Sequence, residues 1–244
     1  MTGATLERRT GLTSDELAFF LEHGYLIVKD AAPRPFLEAI DRDIGIAYQE
    51  KIKDRSLSCE ELNNSHDLGK NNPHAIAWSR DPSILDLVQG LVYPGIALFS
   101  AKVISKGPRE HDMICHWHQD EAYWQDSFPR QRRVSLWMPL QDATPDNGCL
   151  RVVPGSHSHA VVPHLSRTSR DHGACRLSFA HGLEELPGAI EIPVRAGDLI
   201  IFSSRLQHSS RGNHTDQHRR AFILTYQEVV AASDEFEILR AAQG

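Results

Sequence analysis

The sequence predicts a mainly β protein, an antiparallel sandwich or barrel with flanking α-helices, on three observations. Up to about residue 95, apolar side chains recur at helical spacing. From Ile96 onward they fall in short runs separated by turn residues, the pattern of many short strands. The composition, 41% hydrophobic and 24% charged over 244 residues, suits a globular chain with a sizeable core. No internal repeat or low-complexity linker divides it. The expectation is therefore one domain over residues 1–244, with 1–95 as mostly helical support and 96–230 as the barrel core.

The elements follow in order. Thr13 and Glu16 fit a capping box, with Leu12 and Leu17 placed as its hydrophobic staple. Leu17, Phe20 and Leu21 continue the helix, and Gly24 stops it. Tyr25-Leu26-Ile27-Val28 reads as a short strand. Pro35 opens a second helix with Phe36, Ile40, Ile44, Ala47 and Tyr48 on one side. The polar segment from Lys51 to Asn72 reads as a loop. Asp81-Pro82 caps a helix carrying Ile84, Leu85, Leu87, Val88 and Leu91. Strands are expected over 96–104, 114–120, 134–140, 150–153, 189–194, 199–202 and 221–230. Asp146-Asn147-Gly148 offers the chemistry of a tight hairpin, and Ala196-Gly197-Asp198 marks another turn.

Charge and cysteine content narrow the function. Lys plus Arg is 26 against 32 Asp plus Glu, a net charge of −6 without the basic surplus that nucleic acid asks for. No stretch approaches a membrane span, and MTGATLERRT has no apolar leader. Cys59, Cys115, Cys149 and Cys175 show no C-x-x-C pairing and read as reduced thiols, so a cytoplasmic location is expected. The partner expected is a small-molecule substrate. Oligomeric state leaves no signal.

The chemistry gathers in HWHQDEAYW, residues 116–124. In a strand His118 and Asp120, two apart, project to one face. A His from a distant strand would complete the two-His, one-carboxylate set diagnostic of non-haem Fe(II) oxygenases. Among 14 His, a His-x-Asp triplet arises by chance fairly often, so it needs its third ligand. The best third ligand is His208, which follows the buried-looking Leu199-Ile200-Ile201-Phe202. Eleven residues on, Arg219 and Arg220 precede the apolar run Ala221-Phe222-Ile223-Leu224. A guanidinium aimed into an apolar barrel calls for an anion. Of two adjacent strand residues, only one faces inward.

These residues bring the chain close to a known family. Its LTSDELAFFLEHGYLIV, HWHQDEAYW, VSLWMPLQDATPDNGCLRVVPGSH and HSSRGNHTDQHRRAF, in that order and spacing, resemble the phytanoyl-CoA dioxygenase (PhyH-like) family of Fe(II)/2-oxoglutarate-dependent oxygenases. The likeness covers nearly the whole chain, less clearly between about 50 and 75 and between about 160 and 187. It implies a double-stranded β-helix, a jelly-roll or cupin-like barrel. It places the iron ligands on His118, Asp120 and His208, and the anchor of the 2-oxoglutarate distal carboxylate on Arg219, with Ser210 touching the same group. Lys102 and Trp137 fall where the family often lines the cosubstrate pocket. The reaction implied is hydroxylation by O₂ with release of succinate and CO₂. Asp120 stands where halogenating relatives carry Gly or Ala, which disfavours halogenation.

Other residues compete for roles. His111, His116 and His157 are further imidazoles near the motifs; His116 shares the facing of His118, and His157 lies in a family loop read as structural. Tyr123, Trp124 and Phe128 fit packing as well as a substrate pocket. Arg130, Arg132 and Arg133 suit an anionic substrate or, more commonly, a solvated turn. Three alternatives stay open at this point. The same iron site serves desaturation, epoxidation or cyclisation. A non-catalytic cupin-like metal-binding or sensor protein keeps the barrel without turnover. A zinc hydrolase also accepts two His and a carboxylate.

Overall fold

A computed structural model describes residues 11–51, 53, 64–65, 71–124, 132–166, 175–180, 185–229 and 237–240. Its helical entry is built as local chemistry dictates. Helix α1 (Ser14–His23) starts on the Thr13–Glu16 capping box and ends at Gly24, whose φ of 79° lies in the left-handed region. A side chain there would run into the His157 ring. Strand β1 (Tyr25–Val28) follows, then α2 (Arg34–Lys51), which buries Leu37, Ile40 and Ile44. The expected loop from Lys51 to Asn72 lies largely outside the described residues, apart from a two-residue strand β2 (Asn64–Ser65) paired with β3. Helices α3 (Pro73–Ser79) and α4 (Pro82–Gln89) each open with Pro behind an Asn or Asp cap, at Asn72 and Asp81.

Eleven strands follow: β3 (Gly95–Lys106), β4 (Cys115–His118), β5 (Arg133–Pro139), β6 (Leu150–Val152), β7 (His164–Ser166), β8 (Leu177–Phe179), β9 (Ile190–Ile192), β10 (Leu199–Ser203), β11 (His208–Ser210), β12 (Arg219–Val229) and β13 (Glu237–Arg240). Among the described residues they form two main antiparallel sheets. The larger runs β1-β10-β5-β12-β3-β13, with β2 on β3; the smaller runs β4-β11-β6-β9, and β7-β8 stand as a pair. Non-sequential neighbours in both sheets are the mark of a jelly roll, a mainly β fold with flanking helices.

Strand period 2 splits the core. On the large sheet Leu136, Met138, Leu199, Ile201, Phe222 and Leu224 face the helices. Trp137, Ile200, Phe202, Ala221 and Ile223 face inward, against Leu150, Val152 and Ile192 of the small sheet. Both faces are covered, so the strand runs read as continuously apolar rather than alternating. The expected hairpin at Asp146–Gly148 is corrected: Pro145–Asn147 is a one-turn 3₁₀ helix with a Thr144–Asn147 capping box, linking β5 of one sheet to β6 of the other. A tight hairpin joins paired neighbours, and these two strands are not paired.

Asp198 shows how the turn before β10 is held. Its buried carboxylate accepts from Lys29 Nζ at 2.9 Å, Asp30 N at 3.1 Å and Arg195 N at 3.0 Å. Burial pushes its pKa up, but these donors outweigh burial and hold it below the ordinary aspartate value. A carboxyl whose folded pKa is depressed stabilises the fold above its unfolded pKa, and that stability is lost as pH falls through the folded value. Unfolding free energy is therefore expected to drop between neutral pH and the acid range in the wild type. Asp198→Asn should flatten that drop, as read by urea denaturation at a series of pH values.

Candidate metal centre

Each ligand candidate is set by backbone chemistry. His118 ends β4, and His208 opens β11 directly opposite it in register. The Nδ1 of His118 donates to the His116 carbonyl at 2.8 Å, and that of His208 to the Leu206 carbonyl at 2.9 Å. Each ring is thus fixed by the carbonyl two residues before it, which leaves its Nε2 lone pair free. Both lone pairs converge on Asp120 Oδ1, at 3.6 Å from His118 and 3.8 Å from His208. Asp120 does not sit in a regular strand, as the two-residue facing rule assumed: β4 ends at His118 and Asp120 opens a 3₁₀ turn. The turn brings the carboxylate to the two rings by bending the chain rather than by pleating it.

The electrostatics suit a cation. Burial and the nearby His118 hold His208 down at about 3, leaving a neutral imidazole. Burial pushes the Asp120 pKa up, but its polar surroundings, Lys102 among them, overcome that and keep the carboxylate ionised. Ser135 Oγ donates to Asp120 Oδ2 at 3.2 Å. Two lone pairs and one carboxylate oxygen, all within 4.8 Å of one another and buried, match what a divalent metal takes.

These three residues line one cavity with Lys102, Trp137, Ser210 and Arg219. Arg219 and Arg220 part as adjacent strand residues must. The Arg220 guanidinium turns to the helices and meets Asp41 at 2.9 Å. Arg219 turns inward, 1% exposed, with its guanidinium over the Trp137 ring at 5.6 Å. Burial pulls its pKa down to about 10, so it stays charged at neutral pH. Its Nη1 is buried and has no hydrogen-bond partner. A buried cation with a free donor marks a place for an anion.

The other candidates fall elsewhere. His111 stacks on His214, their Nδ1 atoms 2.6 Å apart on an exposed loop. His157 Nε2 meets the Leu21 carbonyl at 3.2 Å and braces the end of α1. His116 contributes its carbonyl to His118. Tyr123 takes the Leu177 N–H at 3.0 Å, and Trp124 packs edge-on to Phe99. Arg132 is exposed beside Glu228. Arg133 corrects the expectation of a solvated turn: it is buried and paired with Glu121 at 3.1 Å, and Ser204 donates to the same carboxylate at 2.8 Å. Arg130 and Phe128 lie outside the described residues.

Several residues at the site carried no signal in the sequence. Buried Gln119 ties the segment before β7 to the metal strand, accepting from Val162 N at 2.9 Å and donating to the Arg205 carbonyl at 2.7 Å. Lys106, fully buried, donates to Ser210 Oγ at 2.8 Å. Cys115 and Cys175 correct the expectation of four reduced thiols: they form a disulfide across a 60-residue separation. Cys115 Sγ is 3.6 Å from His118 Nδ1, so the bond is part of the cavity wall. Burial pushes the remaining described cysteine, Cys149, up to about 11, so it stays a thiol. Cys59 lies outside the described residues. Reduction by excess dithiol is expected to cost about 4 kcal/mol, the chain-entropy value for a loop of this length. Urea denaturation with and without the reductant checks this, and equal midpoints would deny the bond a stabilising role.

Comparison with known proteins gives the family and the fold. A family model described as phytanoyl-CoA dioxygenase (PhyH) matches residues 20–221. Phytanoyl-CoA dioxygenase domain-containing protein 1 of Mus musculus is 28% identical over 166 residues, 67% of this chain and 56% of its own length. L-proline trans-4-hydroxylase of Streptomyces griseoviridis is 28% identical over 171 residues, covering 62% of this chain and 61% of that protein. The chain thus spans little more than half the length of these two relatives. Among solved structures, EvdO2 from Micromonospora carbonacea var. aurantiaca complexed with 2-oxoglutarate shares the fold, with a TM-score of 0.68 at 22% identity over 93% of this chain and 95% of that one. Among the described residues, no helix is long and apolar enough to cross a membrane.

Proposed function

The chain belongs to the phytanoyl-CoA dioxygenase family, and from that premise we propose that it is an Fe(II)- and 2-oxoglutarate-dependent dioxygenase. It hydroxylates a small-molecule substrate with release of succinate and CO₂, in secondary or small-metabolite biosynthesis. One observation carries the reading. The cavity that holds His118, Asp120 and His208 also holds the buried Arg219, whose Nη1 has no partner. A protein that only stores a metal has no use for a cation placed there at the cost of burial.

His118 Nε2, His208 Nε2 and Asp120 Oδ1 would hold the metal. When bound, Fe(II) supplies the O₂ chemistry that couples decarboxylation of the 2-oxo acid to oxidation of a C–H bond. The protein's part is orientation and exclusion of water. Arg219 takes the distal carboxylate of 2-oxoglutarate, and the Ser210 hydroxyl takes a second bond to it. Trp137 backs the Arg219 guanidinium, and Lys102 adds positive charge beside Asp120. Ile104, Leu150 and Ile223 supply the apolar wall.

The relatives support the class rather than the substrate. One is a hydroxylase of a free amino acid, and one neighbour was solved with 2-oxoglutarate. Desaturation, epoxidation and cyclisation would use the same ligands. Product mass separates desaturation and cyclisation, which lose two hydrogens, from hydroxylation and epoxidation, which gain one oxygen. An exchangeable hydroxyl proton in the product spectrum then distinguishes the last two. A hydrolase would need a free base, and the nearby Glu121 is committed to Arg133 and Ser204. The Cys115–Cys175 disulfide removes the reduced-thiol ground for a cytosolic location, which fractionation decides. Anaerobic addition of Fe(II) and 2-oxoglutarate to metal-free protein should raise the weak visible charge-transfer band of the chelate. Tight metal binding without that band would favour a non-catalytic barrel.

A further inference from the structure

Lys106 and Arg219 are cross-strand partners in the β3–β12 register, and both side chains are essentially fully buried. Among the described residues, no carboxylate forms an ion pair with either. Two adjacent buried cations without a counter-anion are costly unless a guest supplies the charge. Lys106 shares the facing of Lys102 and Ile104, which line the cavity, but stands one layer behind it. Its Nζ meets three oxygens: Ser210 Oγ at 2.8 Å, the Ser210 carbonyl at 3.4 Å and the Arg211 carbonyl. An ammonium has three hydrogens and no acceptor, so three acceptors satisfy it completely. The site is shaped around the stem as well. Gly148, at φ 83°, lies where a Cβ would press on Lys106 Cδ and the Arg211 carbonyl.

The consequence falls on Ser210. A hydroxyl has a single hydrogen to donate. With its oxygen already accepting from Lys106, that hydrogen is released toward the cavity that Ser210 lines. We propose that Lys106 is a positioning residue for the cosubstrate. It holds the Ser210 hydroxyl as a donor to the distal carboxylate of 2-oxoglutarate. This inference rests on the 2-oxoglutarate reading above. Burial and the Arg219 charge both pull the Lys106 pKa well down.

The test is equilibrium titration of 2-oxoglutarate into the full-length Fe(II)-loaded protein without O₂, by calorimetry and by the charge-transfer band. Lys106→Met keeps length and apolar volume and should weaken 2-oxoglutarate binding about tenfold, the scale of one charge-assisted hydrogen bond. Ser210→Ala should lose a similar factor, and the double variant should be no worse than the weaker single by more than about twofold, because the two act in series. Affinity for 2-oxobutyrate, which keeps the chelating end but lacks the distal carboxylate, should stay within about twofold of wild type in Lys106→Met. Lys106→Gln, whose neutral amide still donates to Ser210 Oγ, should retain part of the affinity. It also serves if the Met variant does not fold. Wild-type affinity in both Lys106 variants, multiplicative losses in the double variant, or equal losses for both 2-oxo acids would each overturn the inference. Failure of the wild type to bind 2-oxoglutarate, or wild-type affinity in Arg219→Ala, would instead overturn the cosubstrate reading itself.

Discussion

Asp120→Ala is expected to abolish turnover and to weaken Fe(II) binding by more than about 100-fold, since loss of an outer partner of a ligand already costs roughly 10–100-fold. The reason lies in the charges of the site. Asp120 is the only carboxylate among the three ligands, so it is the only anion the set offers the metal. The variant should still fold. Asp120 is buried, and its removal takes a charge out of the interior rather than leaving a new one unpaired there. Competition with a coloured Fe(II) chelator measures the affinity, and thermal unfolding of the metal-free proteins provides the control. Iron bound within threefold of wild type would remove Asp120 from the ligand set.

Arg219→Ala is expected to weaken 2-oxoglutarate binding by about 2–5 kcal/mol, roughly 30- to several-thousand-fold. Removing a buried charged partner leaves the other charge without compensation in the cavity. Arg220→Ala should leave that affinity unchanged, because its guanidinium bonds Asp41 on α2, on the far face of the same strand. Its loss breaks a part-buried ion pair on the helix side of the sheet, away from the cavity. The KM for 2-oxoglutarate of the two variants decides between them. The reverse outcome would mean that β12 is shifted by one residue, which inverts every inward and outward side chain.

How much of this was legible depends on how far each signal reaches along the chain. Thr13 with Glu16 and Asp81 before Pro82 act within four residues, and each appears in the fold as a helix start, whereas the helix capped by Asn72 was not read because its polar approach looked like loop. The opposition of Arg219 and Arg220 follows from strand period alone. The sharp turn at Gly148 was visible, but not that it carries the chain from one sheet to the other. Strand β4 was read two residues too far at its end and one too early at its start, because a 3₁₀ turn has no apolar period to announce it. Strands β7, β8 and β11 are three residues each, too short for alternation to show.

The sequence by itself determined the helical entry, the succession of short strands, the motif residues whose spacing carries the metal set, and the family. All of these rest on local chemistry or on order along the chain. Tertiary structure alone decided the partners of residues that carry no pattern. Cys115 meets Cys175 because β4 lies beside β8, and Arg133 is buried rather than solvated because Glu121 and Ser204 receive it. Lys106 reaches Ser210 across 104 residues, and Gln119 bridges Val162 and Arg205. In each case the meaning of a polar side chain is set by the group opposite it in space. Only the folding of the two sheets onto each other brings that group there.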